Sequence, residues 1–514
     1  MREAPASPMK SSAPNFRTHL FSSPLAIFVL AAILLSSILF IAHSGSTSSS
    51  WFSPSLSSTS SSRSWLNDRR FAAAAAPQPP ANGGADSREL HGGVQRLLPS
   101  PAPPGPPGLF TGKNNLVGTR KNRSVDLKLE RLELDLSRAR TAIRLASRSN
   151  KNASAPADDK YVPQGAIYRN ARAFHRSYLE MERLFKVYVY EEGEPPLFHD
   201  GPCKSIYSTE GRFIYNMEME TRFRTRDPEE AHVHFLPFSV TYMVKYLYQT
   251  RTFDISPIRR TVIDYVGTIA RKHRYWNRSL GADHFMLSCH DWGPEASASI
   301  SHLYHNSIRV LCNANTSEGF NPLKDASLPE INLRTGSIEG FSGGLSASQR
   351  PIIAFFAGGL HGPIRPLLLD HWKGRDNDVR VYEYLPRGIS YYDMMKDSKF
   401  CLCPSGYEVA SPRIVEAIYL ECVPVIISEG YILPFSDVLD WKSFSVEVPI
   451  SEIRNLKKIL MEITPGQYLK LQRGVKLVQR HFVISTPPKR FDVYHMILHS
   501  IWLRRLNIRI HPKD

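Results

Sequence analysis

The sequence predicts an α/β protein of two Rossmann-like halves facing a cleft, preceded by an apolar N-terminal span and a low-complexity stem. Three observations carry that expectation. From Tyr161 onward, short apolar runs alternate with amphipathic helical stretches, which is the pattern of a mainly parallel sheet. A loop rich in Gly, Ser and Thr, from Thr335 to Gln349, divides those elements into two sets. In the second set, FCLCPSGYEVASPRIVEAIYLECVPVII from Phe400 to Ile427 reads as a complete βαβ unit.

The elements follow in order. Leu25 to Ala42 is an uncharged, almost wholly apolar run of 18 residues, preceded by Arg2, Lys10 and Arg17. A spanning helix needs roughly 20 residues, and Leu20 to Ser23 can extend the run. Ala42-His43-Ser44 resembles a cleavage site, but the length favours an uncleaved anchor over residues 20–42. The charge bias leaves residues 1–19 cytoplasmic and the remainder lumenal. That placement excludes nucleic acid as a partner of the +16 net charge. Anionic lipid, acidic sugars and nucleotide phosphates remain.

Residues 43–160 read as a stem. Ser44 to Gly112 has too little apolar surface to fold. Over 124–147, however, Val125, Leu129, Leu132, Leu136, Ala139, Ile143 and Ala146 recur in steps of four and three, forming a helical seam. The seam either lies on the globular body or pairs two chains, as a homodimer or within a larger complex. Sequons stand at Asn122, Asn152, Asn277 and Asn315. All six cysteines lie beyond the span, so up to three bridges are open to them. Cys401 and Cys403 share a strand face and are not expected to pair.

The first half, 161–340, has strand-like runs at Lys186–Glu191, Ala231–Phe238, His284–Cys289 and Ile308–Cys312, with a clear helix from Ile258 to Trp276. The second, 341–514, has strands at Pro351–Ala357, Val379–Leu385, Phe400–Cys403, Val423–Ile427 and Ser443–Val448. Its helices fall near Pro366–Lys373, Ser390–Lys396, Ser411–Cys422 and Ile450–Ile463, and the chain after Pro465 packs back across both halves.

In the βαβ unit a ligand would sit at the strand's C-terminal end, against the helix N-terminus. Ser411, Arg413 and Glu416 crowd that end. A guanidinium meets a diphosphate in two-pronged fashion, and a carboxylate accepts both hydroxyls of a ribose. The alternative is a surface ion pair between Arg413 and Glu416. Together these residues suggest a pocket for a nucleoside diphosphate carrying a sugar.

This stretch resembles the sugar-nucleotide half of the exostosin-like glycosyltransferases (glycosyltransferase family 47), in the plant branch. KVYVYE at Lys186, AHVHFLPFS at Ala231, DHFMLSCHDWG at Asp283, NPLKDASLPE at Asn321 and FFAGGLHGPIR at Phe355 match in family order. The resemblance implies the two-domain architecture called GT-B and a Golgi enzyme of cell-wall or matrix polysaccharide synthesis. It also implies a nucleotide-sugar donor, a polysaccharide or oligosaccharide acceptor, inversion at the anomeric carbon, and no cofactor or obligatory metal. Arg365, in the FFAGGLHGPIR run, becomes a second phosphate-binding cation, with Ser405 and His361 as neighbours and Lys324 as a further candidate. Asp291 or His290, at a strand end, is the candidate base, with Trp292 stacking on an acceptor sugar. Each has a bland alternative: a turn cap for Asp291, a filled core for Trp292, a loop salt bridge for Lys324-Asp325. His232 and His234 read as packed.

Asp376-Asn377-Asp378 has the form of a metal-binding Asp-x-Asp, but it precedes its strand and reads as a turn. The basic charge suits a polyanionic acceptor such as pectin. The rival function is a non-catalytic, membrane-anchored scaffold or carbohydrate-binding partner of another transferase.

Overall fold

The computed structural model describes residues 115–149, 161–338 and 340–511. The candidate anchor, the low-complexity stem and Asn152 lie outside them. Among the described residues no helix is long and apolar enough to cross a membrane.

The first half holds β1 (Val187–Val189), β2 (Arg224–Thr225), β3 (Val233–Phe235), β4 (His284–Ser288), β5 (Ile308–Leu311) and β6 (Ala326–Ser327). They pair in the order β2-β1-β3-β4-β5-β6, parallel throughout. The second holds β7 (Ile352–Ala357), β8 (Val379–Tyr382), β9 (Ser398–Pro404), β10 (Val423–Ile427) and β11 (Val446–Glu447), in the order β11-β10-β9-β7-β8, also parallel. In each sheet the strand order reverses between the first strand and the third. The switch points are therefore β1/β3 and β7/β9, where ligands bind outside the carboxyl ends.

The central strands are apolar on both faces and fully buried: β4 reads HFMLS and β10 reads VPVII. The two-residue strands β2 and β6, Arg-Thr and Ala-Ser, carry no such signal and exist because a neighbour pairs with them. The helix expected from Ile258 to Trp276 is two helices, Ser256–Lys272 and Arg274–Ser279, because His273 between them is extended.

The chain end joins the halves. Helix Pro465–Val478, started by a Thr464/Gln467 capping box, packs on the second half through Val475 and Val478. The chain then crosses, and helix Val493–Asn507 packs on β5 and β6 with Trp502 fully buried.

The helical seam resolves in favour of the body. Helix Asn115–Arg148 buries Leu129, Leu136 and Ala139, with Leu132 and Ile143 packed alongside the core. Its neighbours are helices Ala171–Leu184 and Val493–Asn507. Arg140 donates to the carbonyls of Leu506 and Ile508, and Glu133 pairs with Arg505. The alternative, pairing of two chains through this seam, has Leu129, Leu136 and Ala139 already buried within their own chain. Bridges join Cys289 to Cys312 and Cys401 to Cys422, while Cys203 and Cys403 are free thiols.

Candidate active site

The β7/β9 switch point is built on glycine. Gly362 has φ +69°, and a Cβ there would stand 1.8 Å from the carbonyl oxygen of Gly406. A Cβ on Gly406 would stand 2.9 Å from a terminal nitrogen of Arg365, and one on Gly358 would stand 2.3 Å from Arg413 Nη2. The loops after β7 and β9 thus interlock closely, and the contact seats both arginines.

Arg413 Nη2 donates to Ala357 O (3.2 Å) and Nη1 to Ser411 Oγ (3.4 Å), with the guanidinium over the Phe356 ring. Arg365 is buried in the first turn of helix Ile364–Trp372. Its basicity falls to about 10 through burial first and the nearby Arg413 charge second. The Nε atoms of both are buried without an acceptor, and among the described residues neither arginine forms a salt bridge. Two unpaired, mutually repelling guanidinium groups are costly unless an anion joins them.

Ser411 is buried at the N-cap of helix Pro412–Tyr419, and Ser405 is buried at the end of β9, its N–H donating to Ile427 O. Glu416, one turn on, accepts from Asn332 Nδ2 (3.3 Å) and the Tyr391 hydroxyl (3.2 Å). Burial raises its pKa against the pull of Arg413. A surface ion pair between Arg413 and Glu416 is absent among the described residues. His361 is exposed at the rim, its ring edge-on to Tyr407.

Opposite lies the rim of the first half. Glu210, which sequence reasoning missed, is fully buried and, among the described residues, forms no salt bridge. It accepts from Cys289 N (2.8 Å), Thr241 N (3.0 Å), Ser288 Oγ and Ser239 Oγ. Together with the Cys289–Cys312 bridge it fixes the ends of β4 and β5, and so the His290-Asp291 loop. Asp291 Oδ1 accepts from the Tyr207 hydroxyl (3.0 Å), and burial, then the charge of Glu318, raises its pKa. Asn313 Nδ2 lies against Asp291 O (3.3 Å), Glu318 Oε2 (2.9 Å) and Glu408 Oε2 (2.5 Å), the last reaching across from the second half. Burial, Glu318 and Asp291 push Glu408 up to about 8. Glu330, just beyond β6, is 7% exposed and accepts no hydrogen bond from a described residue. Burial and then Asp291 hold it well above the usual carboxylate range, opposed by Arg413 and Arg365.

His290 is neutral, held near 4 by burial, and its Nδ1 accepts from Trp292 N (3.1 Å). With that nitrogen occupied it serves the loop, leaving Asp291 as the better-placed base. Trp292 is half-buried, edge-on to Tyr248.

Lys324 is not brought into this site. Its Nζ donates to Ser307 O and pairs with Asp325, which also holds Arg309. Ser307 precedes β5, so Lys324 stands at the amino end of the sheet, away from the strand ends that face the cleft. Asp376 is a turn residue as expected: its Oδ1 accepts from the N–H groups of Asp378 and Val379, and Lys457 neutralises both aspartates. Asn277 is exposed. Asn315 is corrected as a glycan acceptor: it is 8% exposed, and its amide caps Ser317 and bonds Glu318 beside Gly430. His232 and His234 are packed. Among the described residues His234, Asp283 and His284 alone have metal-like spacing. The two imidazoles are stacked at 4.8 Å, however, so their in-plane lone pairs do not converge, and Arg278 already neutralises Asp283.

Two arginines at one switch point facing carboxyls on the other half fit the class of protein that the family match shows, a glycosyltransferase. The Exostosin GT47 domain matches residues 181–463, and the chain belongs to that family. Two relatives in Arabidopsis thaliana, each named a probable glycosyltransferase, are similar to it. One is 63% identical over 402 residues, covering 77% of each chain. The other is 57% identical over 383 residues, covering 74% of this chain and 79% of its own. A probable glucuronoxylan glucuronosyltransferase of the same plant is 27% identical over 358 residues, covering 64% of this chain and 75% of its own.

Proposed function

We propose that the protein is a single-pass type II Golgi membrane enzyme of GT-B architecture. It transfers a sugar from a nucleoside diphosphate to a cell-wall or matrix polysaccharide, with inversion and without an essential metal. The observation that carries this reading is the pair of guanidinium groups of Arg365 and Arg413 at the β7/β9 switch point, each with a buried Nε that has no acceptor and, among the described residues, no salt bridge. A scaffold has no use for them.

The diphosphate joins the two arginines at the N-terminus of helix Pro412–Tyr419, with Ser411 and Ser405 beside it. Glu416, one helical turn away, accepts from the ribose hydroxyls. The anomeric carbon then points toward the first half. An acceptor hydroxyl attacks it, the bond from carbon to phosphate oxygen breaks as the new glycosidic bond forms, and the proton passes to Asp291. Its raised pKa makes it a stronger base than an ordinary aspartate. The two guanidinium groups take the charge left on the diphosphate, the task a metal performs in other sites. The Golgi location and lumenal orientation rest on the family and on the apolar run at residues 20–42.

Titration of the full chain in detergent with UDP, GDP and a panel of nucleotide sugars tests the reading. One nucleotide class binds saturably, and Arg413→Ala and Glu416→Ala each weaken it by at least tenfold, about 1.4 kcal/mol, with the fold intact. Failure of every nucleotide to bind overturns it in favour of the scaffold.

A further inference from the structure

The rim of the first half holds a second set of groups that donor binding leaves free. Asp291, Glu318, Glu330 and Glu408 converge there from four loops, and among the described residues none of them forms a salt bridge. Glu330 is an unpartnered carboxyl, more than nine-tenths buried, in a field shared with Asp291, Arg365 and Arg413. Tyr207, His290 and Trp292 line the same loop, with ring centroids 4.9 Å apart for the first two and 5.5 Å for the last two.

We propose that this carboxyl-lined, aromatic-floored rim is an acceptor subsite that takes an uncharged sugar residue and rejects a uronate. The inference rests on the transferase reading above. Carboxyl groups accept hydrogen bonds from sugar hydroxyls, and aromatic faces lie against the apolar C–H faces of a pyranose; neither contact requires a positive charge. A uronate has the opposite need. Its carboxylate loses water on entry and requires an arginine or lysine in return. Arg365 and Arg413 lie on the donor half and are taken by the diphosphate. A uronate at the rim would be a further anion among four carboxyls. Burial first, then the charges of Glu318 and Asp291, push Glu408 up, so two of its neighbours add negative potential there. The net charge of +16 belongs to the whole chain, and its sign is reversed at this rim.

The full chain, saturated with UDP, is titrated with α-1,4-oligogalacturonides and their carboxyl-reduced galactose forms. Neutral xylo-, gluco- and galacto-oligosaccharides are run beside them. The expected result is that a neutral oligosaccharide binds at least tenfold tighter than any uronate. At pH 8.5, where Glu408 carries charge, Glu318→Gln and Glu408→Gln should then narrow that ratio toward threefold. A uronate that binds as tightly as the best neutral sugar, a ratio unmoved by both variants, or no binding of any oligosaccharide overturns the inference. Bound UDP in the same sample shows that the donor pocket, and with it the transferase reading, survives such a result.

Discussion

The two halves are wound alike and charged oppositely. Both sheets are parallel and reverse their strand order between the first and third strands. One switch point presents Arg365 and Arg413, the facing rim presents Asp291, Glu318 and Glu330, and among the described residues none of the five forms a salt bridge. The same backbone plan therefore supplies only the location, the carboxyl ends of strands, and the loops supply the sign of the field. The separation suits a reaction in which one substrate carries negative phosphates and the other offers a neutral hydroxyl. The halves differ in assembly too. The proposed donor side comes from two short loops pressed together by glycine, and the proposed acceptor side from segments near residues 207, 291, 313 and 330, held by Glu210 and a disulfide.

Paired substitutions test that division most severely. Asp291→Asn is expected to lower turnover by about 10²–10⁴ while leaving UDP affinity within twofold. Arg365→Ala is expected to lower transfer by about 10²–10³ and to weaken UDP as well. Steady-state rates beside calorimetric affinities separate the two; equal damage to UDP binding from both would end the distinction between donor and acceptor halves.

Gly362→Ala comes next. Its Cβ would meet Gly406 O at 1.8 Å on a left-handed backbone, so the variant should lose about 2–4 kcal/mol in chemical unfolding, and transfer with it. Gly388, also left-handed but with open space around its Cβ position, is the control, and Ala there should cost about 1 kcal/mol. On the acceptor side, Cys312→Ser opens a bridge of sequence separation 23 and should cost about 3 kcal/mol, with turnover falling more than UDP affinity.

The smallest effect is a pH dependence. The folded-state pKa of Glu408, about 8, lies above the ordinary carboxyl value of 4.5. Its contribution to stability is therefore fully present below about pH 4.5 and is lost as pH rises through about 8. Glu408→Gln stays neutral throughout. Its melting temperature should exceed that of the wild type at pH 8.5, with the gap closing toward pH 5; a gap independent of pH would show that Glu408 feels no such crowding.

Much of the proposed donor side was legible because it is local. Ser405, Ser411, Arg413 and Glu416 lie within one loop and helix, and the Gly358-Gly359 turn flagged Arg365. Lys324 misled because a motif reports neighbourhood in sequence, whereas the end of the strand beside which a side chain stands is set by pairing: its partner is Ser307 O, ahead of β5. Two missed carboxyls had a signal. Glu330 closes the NPLKDASLPE run, and Glu408 stands between Ser405 and Ser411. Glu210 had none, because an acid on a helix reads as solvated until neighbours bury it, and Glu318, on a short exposed turn, is tied to the site only through Asn313 and Asn315.

What the sequence by itself determined is whatever depends on short-range periodicity. The main strands and helices, their division at residues 335–349 and the donor loop all follow from apolar spacing and glycine placement along contiguous chain. Tertiary structure alone decided the partners of the helical seam, the two-residue strands β2 and β6 and the sign of charge at each rim. It also decided which cations stay unpaired. Those properties depend on what lies across a gap between segments tens to hundreds of residues apart. Burial and electrostatic field are functions of distance in space, and no local pattern encodes that distance.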